Sequence, residues 1–347
     1  MKKIVIACDS YKGCLSSSEV SGAVAEGVSG VYPDCEVVRL AVADGGEGTV
    51  EALVDTLGGH LEWAEVSDPL GRPVRAAYGV AGDLAIIESA AACGLTLLTK
   101  EERNPLIATT KGLGELILAA VDKGCRRFLI GLGGSATNDG GMGMIGVEGF
   151  LEKTRGLQFT VACDVDTPYI GRNGASRVFG PQKGASVQDV EVLEERLRGY
   201  ALKISEDTGI DVSDMPGAGA AGGLGGAFRA YLGAELKRGV DLVLDQIGFD
   251  SVIAGADLVI TGEGCSDYQT LKGKTAAGVL ERAERLNIPV ALVSGAIRDE
   301  KMLMDSGFRI VEAVTPPAMS LEEAMRPETA KRLVAIATRN ILHHFCI

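Results

Sequence analysis

The chain has 347 residues, 46% of them hydrophobic but only 5% aromatic, with 47 glycines and a formal net charge of -13. That length exceeds the roughly 100–200 residues of one comfortable core, so two domains are expected, and small aliphatic residues with many glycines suit a parallel α/β sheet rather than a disordered chain. The acidic balance argues against nucleic acid and anionic membranes as partners, because both are held chiefly by clustered lysine and arginine.

The cysteines (Cys8, Cys14, Cys35, Cys93, Cys125, Cys163, Cys265 and Cys346) are scattered without a C-x-x-C pair, so free thiols of a reducing compartment are expected rather than a zinc site. The opening "MKKIVIACDS" has too short an apolar run for a signal peptide, and no later run approaches the roughly 18 residues of a bilayer span. A cytoplasmic protein is the expectation. The histidines are His60, His343 and His344, the last two at the C-terminal end. Histidine acid–base chemistry is therefore not expected, and carboxylates, lysines and a metal are left to carry any reaction.

In chain order, "KIVIACDS" reads as a first strand that is apolar on both faces. Ser16 and Glu19 then form a capping box ahead of Val20, Val24, Val28 and Val31 at helical spacing. "EVVRLAV" (36–42) reads as a second strand, and "GTVEALVDTLGG" as a helix closed by Gly58 and Gly59. The middle offers strands at "LAIIESAA", "RFLIGLG" and "QFTVACDV", helices near 112–123 and 187–204, and a glycine-rich stretch at 215–228. The last third resumes the rhythm: strand 257–262, helix from Lys274 to about Leu286, strand 289–295, a short helix, strand 309–314, and a final helix from Ser320, which caps with Glu323. Five parallel strands can thus come from the two ends of the chain. The expected division is a domain of residues 1–62 and 243–347 interrupted by a second α/β domain, 63–242.

Parallel sheets bind ligands beyond the carboxyl ends of their strands, so the loops there are the candidates. "CDSYKG" (8–13) brings Asp9, Ser10 and the single cation Lys12, against a bland reading as a turn with a solvated lysine. "ADGGEGT" (43–49) opens a helix whose N–H groups attract anions; Asp44 and Glu47 would repel phosphate unless a divalent cation lay between, and dipole capping accounts for Glu47 but not for the pair Gly45 and Gly46.

"LIGLGGSATNDGGMGM" (129–144) holds six glycines with Ser135, Thr137, Asn138 and Asp139 and no lysine or arginine. It has neither a Walker A nor a dinucleotide spacing; Gly133, Gly134, Ser135 and Asn138 instead read as a cradle of N–H groups and small polar side chains for phosphate or a polar substrate. "TGEGCSDYQTLKGKT" (261–275) sets Glu263 and Asp267 before Lys272 and Lys274, where a metal and a phosphate could lie side by side. "ACDVDTP" (Asp164, Asp166) and "FGPQKGA" (Lys183) are similar in character, although Asp166 could only start a turn and Lys183 could only be a surface lysine. Carboxylates, glycines and a few lysines, with little histidine, are the inventory of magnesium-dependent phosphoryl transfer.

Read in order, "DSYKG", "ADGGEGT", "GLGGSATNDGG", "ACDVDTP", "FGPQKGA", "PGAGAAGGLG" and "TGEG" followed by Asp267, "QT" and "GK" resemble the type 1 glycerate kinase family along nearly the whole chain. The resemblance implies ATP-dependent phosphorylation of D-glycerate, generally to 2-phosphoglycerate, with Mg²⁺. It also implies a flavodoxin-like domain interrupted by a second α/β domain, with the site in the cleft between them. On that basis Ser10, Lys12, Asp44 and Glu47 face the site and are joined by Asn138 and Asp139.

The chemistry then suggests Lys12 for phosphate charge, Asp44, Asp164, Glu263 or Asp267 for Mg²⁺, and Asp139 or Asp166 to orient or deprotonate the acceptor hydroxyl. Gly45, Gly46, Lys183, Lys272 and Lys274 complete the phosphate and substrate set. The family commonly has arginine after "GEG" where this chain has Cys265, for which Arg298, Lys272 or Lys274 could substitute, and it usually carries a longer segment where only "KTRG" separates 149–152 from 157. The expected partners are D-glycerate and ATP, with a homo-oligomer left open. The rival readings are phosphorylation of the 3-hydroxyl, a kinase of a related small hydroxy acid, and a turnover-deficient relative that acts as a sensor.

Overall fold

The computed structural model describes every residue except Glu47, Cys346 and Ile347, so the capping or substrate-site role expected of Glu47 lies outside the described residues. Its strands are β1 Lys3–Cys8, β2 Glu36–Ala41, β3 His60–Ser67, β4 Pro73–Ala81, β5 Leu84–Glu88, β6 Arg127–Gly131, β7 Gln158–Ala162, β8 Glu235–Lys237, β9 Leu258–Gly262, β10 Cys265–Ser266, β11 Val290–Ser294, β12 Ala296–Ile297 and β13 Ile310–Ala313. They divide between two compact units, one of Met1–Asp44, Asp55–Leu57 and Val240–Ile347, the other of Gly45–Val54 and Gly58–Gly239.

Unit 1 contains a five-stranded sheet in the order β13-β11-β9-β1-β2, parallel throughout. β1 and β9 are apolar at almost every position because both faces are covered. Helix Ser17–Ser29 begins with the capping box of Ser16 and Glu19. It packs so closely on the C-terminal helix Pro327–Phe345 that a Cβ at Gly27 would fall 2.6 Å from the Thr338 Cβ. The single final helix expected from Ser320 is instead two, Leu321–Ala324 and Pro327–Phe345. Pro327 lacks the N–H that a continuous helix would need, and a first-turn position is where proline costs least.

Unit 2 contains a six-stranded mixed sheet, β3-β4-β5-β6-β7-β8, antiparallel from β3 to β5 and parallel from β5 to β8. The hairpin of β3 and β4 escapes a reading of apolar runs because β3 is half exposed and alternates in polarity: Trp63 lies outside, with the Arg75 guanidinium 4.7 Å from its ring. The Asp68 carboxylate closes the turn by accepting from the N–H groups of Leu70 and Arg72. β3 begins at His60, ahead of the expected boundary at 63, and it joins unit 2 by pairing with β4 along its whole length.

Candidate active site

In unit 1 the sheet order reverses at β1, with β2 on one side and β9 on the other. Crevices beyond the carboxyl ends of strands at such a switch are where open parallel sheets hold ligands. The two exits are tied together by the Asp9 N–H, which donates to the Gly262 carbonyl at 2.8 Å. Asp9 follows β1 directly and is only 6% exposed. Its carboxylate accepts from the Ser10 N–H at 2.6 Å and from the Thr275 hydroxyl at 2.9 Å. Burial, reinforced by the charge of Asp44, pushes its pKa up to about 6.

Thr275 is the first residue of helix Thr275–Arg285, so its hydrogen bond brings a helix N-terminus, with unpaired N–H groups and a positive dipole end, up to the buried acid. Glu263, directly after β9, is also buried. Its Oε1 accepts from Ser266 at 3.0 Å and from Thr270, and Oε2 lies 3.5 Å from Lys274 Nζ. The Ser266 hydroxyl is shared with Ser294, the last residue of β11, at 2.7 Å. Lys12 is exposed and Ser10 half-buried on the loop after β1. This end of the sheet therefore presents a helix N-terminus and two lysines to an anion, with two buried carboxylates behind them.

In unit 2 the glycine-rich loop follows β6. Asp139, expected as a proton acceptor, is spent on the loop itself: it accepts from the Thr110 N–H and hydroxyl, the Thr109 hydroxyl, and the N–H groups of Gly141 and Gly143, at 2.8–3.3 Å. Most of the glycines are likewise explained by packing. A Cβ at Gly140 would fall on the Tyr169 hydroxyl, and one at Gly141 on Ala227. At Gly143 it would meet Thr109 and Asp139, and at Gly131 it would lie 2.6 Å from the Gly45 carbonyl. The second glycine-rich stretch interlocks with the first: Gly222 accepts from the Gly140 N–H at 3.0 Å, within a left-handed break at Ala221, Gly222 and Gly223. Gly133 and Gly134 differ, being exposed with no atom closer than 3.4 Å to the Cβ position. They are the part of the loop open to a ligand.

Lys183 is not the surface lysine that its sequence context allowed. It is 2% exposed, and its ammonium donates to Ser135 Oγ at 3.0 Å and to the Thr137 carbonyl at 2.7 Å. Burial lowers its pKa to about 7. Asn138 is fully buried and donates from Nδ2 to Ser176 Oγ at 2.9 Å.

Several expected roles change. The helix opened by "ADGGEGT" was expected to hold a phosphate, but its first turn already has a carboxylate: Glu88, at the end of β5, accepts from the Val50 N–H at 3.1 Å. Gly45 has φ +85° and sits 2.6 Å, at its Cβ position, from the Ala162 Cβ, so packing explains it; Gly46 lies near Gly133. Among the described residues no three histidine, cysteine, aspartate or glutamate side chains come close enough to hold an ion. Three of the acids named for Mg²⁺ have local hydrogen bonds: Asp164 accepts from the Gly239 N–H at 2.8 Å, Asp267 accepts from the Gln269 N–H, and Glu263 is held as described. Asp166 is exposed after β7.

Lys272 lies over the Tyr268 ring on the surface, 5.0 Å from its centroid. Cys265 pairs through β10 with Ala296 of β12, and the Arg298 N–H donates to the Ser266 carbonyl, so Arg298 follows the same short ladder. Asp9 and Thr275 carry more of the unit 1 arrangement than the sequence reading gave them. Their signal was an acid placed directly after a fully apolar strand.

The sequence model of the glycerate kinase family matches residues 4–151 and 145–346. The chain is 44% identical to a glycerate kinase of Bacillus subtilis strain 168, over 93% of this chain and 92% of the relative. It is 42% identical to a glycerate 2-kinase of Escherichia coli K12, over 98% and 97%. A crystal structure assigned to glycerate kinase 2 of Salmonella typhimurium LT2 superposes with a TM-score of 0.88 at 42% identity, covering 99% of this chain and 98% of that one. The alignment with the E. coli protein runs over 370 residues, longer than this chain. The two family matches overlap at 145–151.

Proposed function

The chain belongs to the glycerate kinase family, and from that premise we propose that it transfers the terminal phosphate of ATP to D-glycerate, giving 2-phosphoglycerate, in the cytoplasm. The observation that carries the reading for unit 1 is the hydrogen bond from Thr275 to Asp9 at the switch in sheet order. It sets a helix N-terminus, a ready anion site, next to buried carboxylates. The triphosphate meets the N–H groups of helix Thr275–Arg285, with Lys12 and Lys274 supplying charge.

Mg²⁺ in kinase sites is held by one or two carboxylates and by the phosphates themselves rather than by an all-protein cage. Asp9 and Asp44, close enough for one charge to raise the pKa of the other, fit that demand. When bound with the nucleotide, the ion neutralises charge on the transferring group. Of the two acids expected to orient the acceptor hydroxyl, Asp166 is the one not consumed by its own loop. Phosphoryl transfer through a loose transition state asks chiefly for positioning. Lys274 and Arg298 stand in for the arginine replaced by Cys265.

The test is to incubate the protein with ATP, Mg²⁺ and D-glycerate and to identify the product by phosphorus NMR. 2-Phosphoglycerate is expected. 3-Phosphoglycerate would move the transfer to the other hydroxyl, and binding of glycerate without product would identify a sensor.

A further inference from the structure

Ser89, Thr137 and Asn138 are fully buried in unit 2, yet Ser89 Oγ, Thr137 Oγ1 and Asn138 Oδ1 have no hydrogen-bond partner among the described residues. Ser89 directly follows β5, and Thr137 and Asn138 lie on the loop that follows the adjacent parallel strand β6. The Ser89 N–H and the Gly131 carbonyl join these exits at 2.8 Å. Folded proteins rarely leave buried polar atoms unpaired, because each keeps its full desolvation cost. Here three occur on neighbouring segments, beside a buried lysine that makes no ion pair among the described residues. Lys183 bonds the loop at Ser135 and Thr137 through two of its three N–H donors, which leaves one.

These groups state the chemistry of a ligand. An ammonium with a spare donor asks for an anion, and Asn138 Oδ1, which can only accept, asks for a hydroxyl or another donor. We propose that Lys183, Thr137 and Asn138 recognise the acceptor acid: Lys183 takes its carboxylate, while Thr137 and Asn138 take the hydroxyl that is not phosphorylated. The proposal rests on the kinase reading above and deepens it to substrate selection. Gly133 and Gly134 are the exposed part of the same loop. A monohydroxy acid such as D-lactate leaves Asn138 unpaired and is expected to bind at least about 100-fold more weakly than D-glycerate, since a site built for a hydroxyl rejects the analogue lacking it.

Thr137→Val is the decisive variant. Its hydroxyl has no partner among the described residues, so an isosteric methyl should leave the melting temperature unchanged or raise it. The KM for D-glycerate should rise about tenfold, with the KM for ATP within twofold of the parent. Lys183→Met should lower kcat/KM for glycerate by more than about 100-fold; if it fails to fold, Thr137→Val decides alone. An unchanged glycerate KM in Thr137→Val, an equal rise for both substrates, or a lowered melting temperature would overturn the proposal. Calorimetry separates the two readings: wild-type protein that binds glycerate without transferring phosphate overturns the kinase reading only. A parent enzyme that turns over glycerate with Thr137→Val indistinguishable from it overturns the recognition site only.

Discussion

Asp9 and Asp139 are both buried acids at strand ends, and hydrogen bonding separates their roles. Asp139 accepts five hydrogen bonds from the segments it joins. Asp139→Asn is therefore expected to lower the melting temperature by several degrees, because an amide cannot accept at both ends. Asp166→Asn should leave melting within about 1 °C, since surface changes are usually within about 0.5 kcal/mol, while reducing kcat. Thermal melts beside steady-state kinetics distinguish the two variants.

Asp9 behaves differently because its folded pKa, about 6, lies above the 3.8 of an unconstrained aspartate. Below the lower value the group is protonated in both states and contributes nothing. Between the two the folded chain holds the extra proton, so stability falls as pH rises, and above about pH 6 a constant penalty of about 3 kcal/mol remains. Asp9→Asn in metal-free buffer should raise the melting temperature at pH 7.5 and flatten its fall between pH 4 and 6. A pH profile parallel to the parent's would contradict this.

At the scale of elements, the two glycine-rich stretches serve each other before they serve a ligand. Gly141 combines φ +78° with a Cβ position filled by Ala227. Gly141→Ala should cost about 3 kcal/mol through overpacking and left-handed strain, read as a lowered denaturation midpoint. Gly133→Ala has room and should stay within about 0.5 kcal/mol of the parent. Any loss of kcat/KM in that variant then reports on the approach of a ligand. The density of glycine was legible in the sequence as a demand for close approach. What approaches was not legible, because a glycine touching Tyr169 and one open to solvent are spelled alike. The same limit applies to "ADGGEGT": its helix N-terminus was visible, but the carboxylate that fills it, Glu88, comes from a strand 38 residues further on.

For the whole molecule, the proposed kinase reading has Mg²⁺ held by one or two carboxylates and by the phosphates, so the cation is expected to arrive with the nucleotide. Mg²⁺ alone should leave the melting temperature within about 1 °C, whereas MgATP at about 100 times its Kd should stabilise by about 2.7 kcal/mol. Chelation should abolish turnover and the ATP-dependent shift together. A large shift with Mg²⁺ alone would indicate a resident metal site. Among the described residues no helix is long and apolar enough to cross a membrane.

The sequence by itself determined the five parallel strands drawn from the two ends of the chain, the capping box of Ser16 and Glu19, and the kinase family, because periodicity, caps and ordered loop motifs are local properties of the chain. Only the tertiary structure decided which acids are spent and which are available. It buried Lys183, occupied Asp139 five times over, filled one helix N-terminus with Glu88 and placed Asp9 against another. Burial and hydrogen-bond satisfaction depend on distant partners, 48 residues apart for Lys183 with Ser135 and 266 apart for Asp9 with Thr275, and no local pattern encodes them.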